Sequence, residues 1–132
     1  MKSAKIILAL AAAALGTQGS MAALAVGAKA PEFTTRGALA GKTFTVTLSH
    51  QLKRGPVVLY FFPKAFTPGC SAEAREFAEN IDKFKAAGAT VIGMSADPVD
   101  DLVAFSTKEC AGKFAVASAG PNIVSGYDVA LK

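Results

Sequence analysis

Runs of apolar residues, evenly spaced, set the rhythm of this chain. PVVLYFF (56–62) is continuous and rich in β-branched and aromatic side chains, the pattern of a central strand covered on both faces. ATVIGMS (89–95) and FAVASA (114–119) repeat it in shorter form. Earlier, TFTVTL (43–48) alternates Phe44, Val46 and Leu48 with threonines, the period of a half-buried strand. Between these strands the period lengthens. In 71–87, Ala74, Phe77, Ala78, Ile81 and Phe84 recur at helical spacing, Glu79 and Lys83 form a favourable i,i+4 pair, and Gly88 stands where a helix ends. A second helix is predicted from Asp97 as N-cap, with Pro98 at its first position, Asp100 and Asp101 in its first turn, and Gly112 as its stop. The segment 26–42 reads as a loop-like lead-in, SHQLKRG (49–55) as a turn or short helix, and the last residues as a short helix or turn. Strand, helix, strand, helix, strand implies right-handed βαβ units. The fold class is therefore α/β: a central, mostly parallel sheet flanked by helices.

The first residues follow a different pattern. Lys2 and Lys5 precede an apolar stretch at 6–16, and small residues then offer cleavage sites after Ala22 or Ala25. Eleven apolar residues are short for a membrane span. We therefore expect a signal peptide over 1–22, one domain over 23–132, and a periplasmic or secreted protein not held by the membrane once the signal is removed. Without those two lysines, 12 of the 14 basic residues remain against 10 acidic ones. They are scattered, which argues against a nucleic-acid partner.

Candidate chemistry rests on two cysteines, Cys70 and Cys110. They lie too far apart for a C-x-x-C motif, and with His50 the lone histidine neither a zinc site nor a Cys–His hydrolase is expected. Asp97, Asp100 and Asp101 are read as helix-capping residues, so no metal is expected. Cys70 falls between strand 56–62 and helix 71–87, and ligands of open α/β sheets collect at the carboxyl ends of the strands. A helix N-terminus favours thiolate over thiol, and the thiolate is the reactive form. Thr67 places a hydroxyl three residues ahead, and Pro63 and Pro68 stiffen the loop. On position alone, a working nucleophile and a buried structural thiol remain equally open.

The spelling of the loop adds to this. Pro63-Lys64-Ala65-Phe66-Thr67-Pro68-Gly69-Cys70 matches P-x-x-x-T-x-x-C, and YFFPKAFTPGCSAEA resembles the active-site segment of peroxiredoxins of the bacterioferritin-comigratory (PrxQ) type, in the wider AhpC/TSA-like family. The flanks VGAKAPEFTT, ATVIGMSAD and GKFAVASA resemble the same pattern in the same order, over about residues 26–130. The resemblance implies a thioredoxin-like sandwich that reduces hydrogen peroxide or organic hydroperoxides by thiol chemistry, without a cofactor. It makes Cys70 the peroxidatic cysteine and assigns Thr67 to hold peroxide and sulfur, Pro63 to shield the sulfur, and Glu73 to the acidic position that follows. Tyr60 and Phe62 become pocket-wall candidates. The implied partners are a peroxide and a thioredoxin-like or other thiol reductant, in a monomer or homodimer.

Two departures bear on that expectation. Many relatives place a second cysteine five residues after the first, where this chain has Arg75. Cys110 is then the candidate resolving cysteine, with an inert core thiol or a permanent disulfide as the alternatives. The family pattern also carries an active-site arginine on a later strand. Arg36, Arg54 and Arg75 are the arginines here and none has that context, so the last strands of the pattern are expected to be missing. Arg75 lies about 140° round the helix from Cys70 and is a poor substitute. An inactive thioredoxin-like binding domain and a thiol–disulfide oxidoreductase are the competing functions.

Overall fold

The computed structural model describes residues 23–131. The expected signal peptide, 1–22, lies outside them. The elements follow in the order β1 (Thr34–Leu39), β2 (Lys42–Thr47), α1 (Leu48–Leu52), β3 (Val57–Phe61), α2 (Pro68–Ala86), β4 (Thr90–Ser95), α3 (Val99–Lys108), β5 (Ala115–Ser118) and α4 (Pro121–Gly126). They build one sheet in the order β2-β1-β5-β4-β3. The neighbours β3, β4 and β5 run parallel, while β1 pairs antiparallel with both β5 and β2.

Both faces of this sheet are covered over β3, β4 and β5, which explains why those strands are apolar without alternation. On one face Ala74, Ala78 and Ile81 of α2 and Leu102 and Phe105 of α3 pack on Val91 and Val116. On the other, Leu48 and the α4 residues Ile123 and Val124 meet Ile92, Met94 and Ala117. Val58 and Tyr60 of β3 join the first core, Val57, Leu59 and Phe61 the second.

Two expectations are corrected by this architecture. The lead-in 26–42 contains a strand, β1, where only a loop was expected. Thr34–Leu39 lacks an apolar alternation, but it is set by pairing, since Leu39 and Lys42 close a hairpin through Ala40 and Gly41 with φ of 50° and 79°. Within β1, a Cβ on Gly37 would stand 2.8 Å from a Val46 methyl and 2.9 Å from the Val116 carbonyl oxygen, so the sheet admits glycine there. Conversely, 56–62 reads as the central strand, yet β3 is an outer strand of the described sheet and all five of its residues are half-buried. Apolar composition reports coverage of the two faces; which edge of a strand is hydrogen-bonded is set by topology.

Candidate active site

At the carboxyl end of β3 the chain is tied before it turns. The Phe62 amide donates to the Met94 carbonyl of β4 at 2.9 Å. The loop then passes through Phe66, a non-glycine residue at φ 64° whose ring stands edge-on to Phe105, centroids 5.3 Å apart. Backbone in this region is strained for a bulky residue and persists where packing over-determines it. Thr67 is the extended N-cap of α2 and Pro68 its first residue. The helix thus begins three residues earlier than its apolar period indicates, because Pro68 and Gly69 belong to the capping turn and carry no periodic signal. Cys70 lies in that first turn, where amides lack intrahelical acceptors, and is 8% exposed.

The loop owes its position to a residue that the sequence assigns to another task. Asp97 is expected to cap the second helix, but Pro98 is the N-cap of α3 and accepts no side-chain bond. Asp97 instead turns to the cysteine loop. Its Oδ2 accepts from the Ala65 amide and from the Ser95 hydroxyl, both at 2.7 Å. The Ser118 hydroxyl donates to the Asp97 carbonyl at 2.8 Å, joining β5 to the same point. Ser95, Asp97 and Ser118 are thus positioning residues that sequence reasoning missed. The available signal was polar residues ending two otherwise apolar strands.

Other expected site residues are distributed as follows. Thr67 is near the helix start, but its hydroxyl donates to the Lys64 carbonyl at 2.9 Å. That bond stiffens the loop and leaves the oxygen lone pairs free to accept. Glu73 is exposed one turn beyond Cys70, and Pro63 is exposed. Tyr60 and Phe62 are neighbours, centroids 5.7 Å apart, and belong with Cys70 to the core under α2 and α3. A cavity of about 600 Å³ opens at the carboxyl ends of β3, β4 and β5. Phe62, Pro63, Met94, Val124 and Leu131 are among its lining, whereas Cys70, on the α2 side of the sheet, is not.

A P-x-x-x-T-x-x-C loop at the carboxyl end of the parallel strand β3 is now joined to an overall likeness. The AhpC/TSA family pattern matches residues 26–130. The chain belongs to the AhpC/TSA family. It is 42% identical over 82 residues, 62% of its length, to a chloroplastic peroxiredoxin Q of Gentiana triflora, of which that match covers 36%. To peroxiredoxin Bcp of Escherichia coli it is 45% identical over 53 residues, 40% of this chain and 34% of that one. The chain thus spans little more than a third of the length of these curated relatives. Among solved structures it resembles peroxidoxin BcpB of Mycobacterium tuberculosis, with a TM-score of 0.68 and 28% identity over 76% of this chain and 64% of that one. It also resembles peroxiredoxin Q of Xanthomonas campestris, with a TM-score of 0.61 and 32% identity over 71% and 58% of the two chains. The thioredoxin-like peroxiredoxin fold expected from the sequence is the fold observed.

Within this AhpC/TSA fold the second cysteine is placed in detail. Cys110 lies two residues beyond α3, in a turn where Ala111 and Gly112 both take positive φ, and it is fully buried. The helix stops at Lys108, short of the expected Gly112, because the chain must bend down to enter β5. Cys70 and Cys110 are both free thiols and share the core under α2 and α3. Burial, and then the Glu109 charge, push the Cys110 thiol up to about 12. Arg75, which stands where many peroxiredoxins have their second cysteine, donates to Glu109 at 2.7 Å and so ties α2 to the turn that holds Cys110.

Proposed function

We propose that this protein is a thiol-dependent peroxidase in which Cys70 is the peroxidatic cysteine. The observation that carries the reading is the location of Cys70: first turn of α2, after a loop tied down at the carboxyl end of β3, within a chain of the AhpC/TSA family. The Cys70 thiolate attacks one peroxide oxygen, the O–O bond breaks, and the distal oxygen leaves as water or an alcohol after taking a proton. Cys70 is left as a sulfenic acid, the first step of the cysteine oxidation ladder. Thr67, with its hydrogen already donated to Lys64, presents lone pairs to a protonated peroxide oxygen.

Cys110 is the proposed resolving cysteine. It forms a disulfide with Cys70 and releases the sulfenic oxygen as water; a thioredoxin-like or other dithiol then reduces the pair. Both thiols lie in one core and Arg75 excludes the short-range partner, which supports this assignment. The N-terminal pattern supports an extracytoplasmic location, checked by sequencing the N-terminus of the protein recovered from the periplasm.

The test is stoichiometric hydrogen peroxide added to reduced protein, with a dione probe and mass spectrometry. We expect labelling at Cys70, followed by a Cys70–Cys110 disulfide, and persistent labelling in Cys110→Ser. Absence of Cys70 labelling at low peroxide would sink the peroxidase reading.

A further inference from the structure

At the amino ends of β4 and β5, opposite the cysteine loop, the sheet has a notch. Ile92 of β4 stands level with Ala115, the first residue of β5, so Thr90 and Val91 run on past the start of their neighbour. On the other side of β5, β1 ends at Leu39, one residue beyond the pair Ala38–Val116. A cavity of about 400 Å³ occupies this gap, within the usual range for small-molecule sites. Much of its lining is apolar: Leu39, Phe44, Ile81, Ile92 and Phe114 all border it. Leu39 is 40% exposed, an apolar side chain that the fold leaves uncovered at the mouth.

The charged lining is of one sign. Arg54, just past α1, Lys85, near the end of α2, and Lys113, leading into β5, border the cavity, and no carboxylate does. The salt bridge among the described residues is Arg75–Glu109, so none of these three cations has a carboxylate partner there. A backbone donor joins them. Successive residues of a strand send their amides to opposite edges. The Thr90 amide donates to the Pro56 carbonyl on the β3 side, and the Ser95 carbonyl accepts from Ala119 on the β5 side. The Val91 amide therefore faces β5, but β5 begins too late to meet it, and among the described residues it has no acceptor. Val91 is 2% exposed, and an unmet buried amide is rare in a folded protein. One apolar cavity is thus bordered by three cations and an unspent N–H.

We propose that this notch binds a small amphipathic carboxylate. Arg54, Lys85, Lys113 and the Val91 amide hold the anionic head, and a short apolar tail lies on Leu39, Phe44 and Phe114. The Arg54 guanidinium supplies the planar fork that matches a carboxylate, and the lysines add compact charge. The larger cavity at the carboxyl ends of the strands has no charged residue in its lining, so the head group distinguishes the two sites. The site is independent of the peroxidase reading, which concerns the other end of the sheet.

The experiment is a calorimetric titration of the purified protein with decanoate below its micelle-forming concentration, beside decanol and butyrate, with amide hydrogen exchange to locate the ligand. Decanoate is expected to bind one to one, about tenfold or more tighter than decanol, which lacks the charge, and butyrate, which lacks the tail. Bound decanoate should slow exchange at Val91 and over 112–115. Arg54→Gln and Lys113→Gln, both at exposed positions, should each weaken binding about tenfold, the loss of one charge-assisted contact. Added salt should weaken it too. Equal affinity for decanol, or protection confined to the carboxyl ends of the strands, puts the tail in the other cavity and overturns the proposal. Butyrate binding as tightly as decanoate reduces the notch to surface charge and overturns it as well. So does unchanged affinity in both variants, or no binding of decanoate.

Discussion

Asp97→Ala tests how the cysteine loop is held. The carboxylate receives two 2.7 Å hydrogen bonds through one oxygen, one from the Ala65 amide in the loop and one from Ser95 at the end of β4. Ala65 and Ser95 are 8% and 2% exposed, so neither donor finds water easily once the acceptor is gone. A hydrogen bond to a charged group contributes about 1.5–3 kcal/mol, and an orphaned buried donor costs about 1–3 kcal/mol. Asp97 is half-buried, so solvent offsets part of this, and a loss of about 3 kcal/mol is expected. At about 4 °C per kcal/mol for a domain of this size, the thermal midpoint should fall about 12 °C. Asp97→Asn keeps an acceptor oxygen and should lose about 1 kcal/mol. The assay is a far-ultraviolet circular dichroism melt of all three proteins, paired with the rate of Cys70 oxidation in competition with a haem peroxidase. Freed at Ala65, the loop should misplace Cys70 and slow that rate by up to about 10²-fold. If Asp97→Ala melts within the ±0.5 kcal/mol typical of surface substitutions and reacts at the wild-type rate, the staple does not hold the loop.

Further outcomes are expected from the second cysteine and from the sheet. Stability should decline in alkali, because the buried Cys110 thiol keeps its proton to about pH 12 while an unfolded chain releases it near 9.0. This contribution is full below pH 9, falls by about 1.4 kcal/mol per pH unit above it, and is lost by pH 12. Cys110→Ala should flatten the first part of that decline in urea titrations, with the buried phenols of Tyr60 and Tyr127 still acting at higher pH. Glu109→Gln should move the Cys110 thiol part of the way back toward its ordinary range, seen as faster alkylation of the folded protein at a given alkaline pH, whereas Arg75→Ala, which breaks a pair 58% exposed on the arginine side, should change stability by less than about 1 kcal/mol. Gly93→Ala should cost about 1–3 kcal/mol by driving a methyl into the clamped Tyr60 ring, measured as a lower urea midpoint.

Amino-acid order alone determined the helices and strands whose signal is local. The run VVLYF, the 3.6-residue period after Cys70 and the apolar ATVIGMS and FAVASA segments all form the elements expected of them, since burial on two faces or on one stripe writes itself into consecutive residues. The loop around Cys70 was legible for the same reason: its proline, threonine and cysteine stand within eight residues of one another. What depended on residues distant in the chain was decided only by the tertiary structure. β1 exists because β2 and β5 offer it hydrogen bonds, and β3 lies at a sheet edge through topology that its own apolar residues do not encode. Asp97 left the helix cap it was expected to form because the Ala65 amide, 32 residues away, is a donor brought within 2.7 Å only by folding. Tyr60, read as a pocket wall, became an unpaired hydroxyl in a core shared by both thiols. Local order wrote the cysteine loop; packing across the sheet supplied its surroundings.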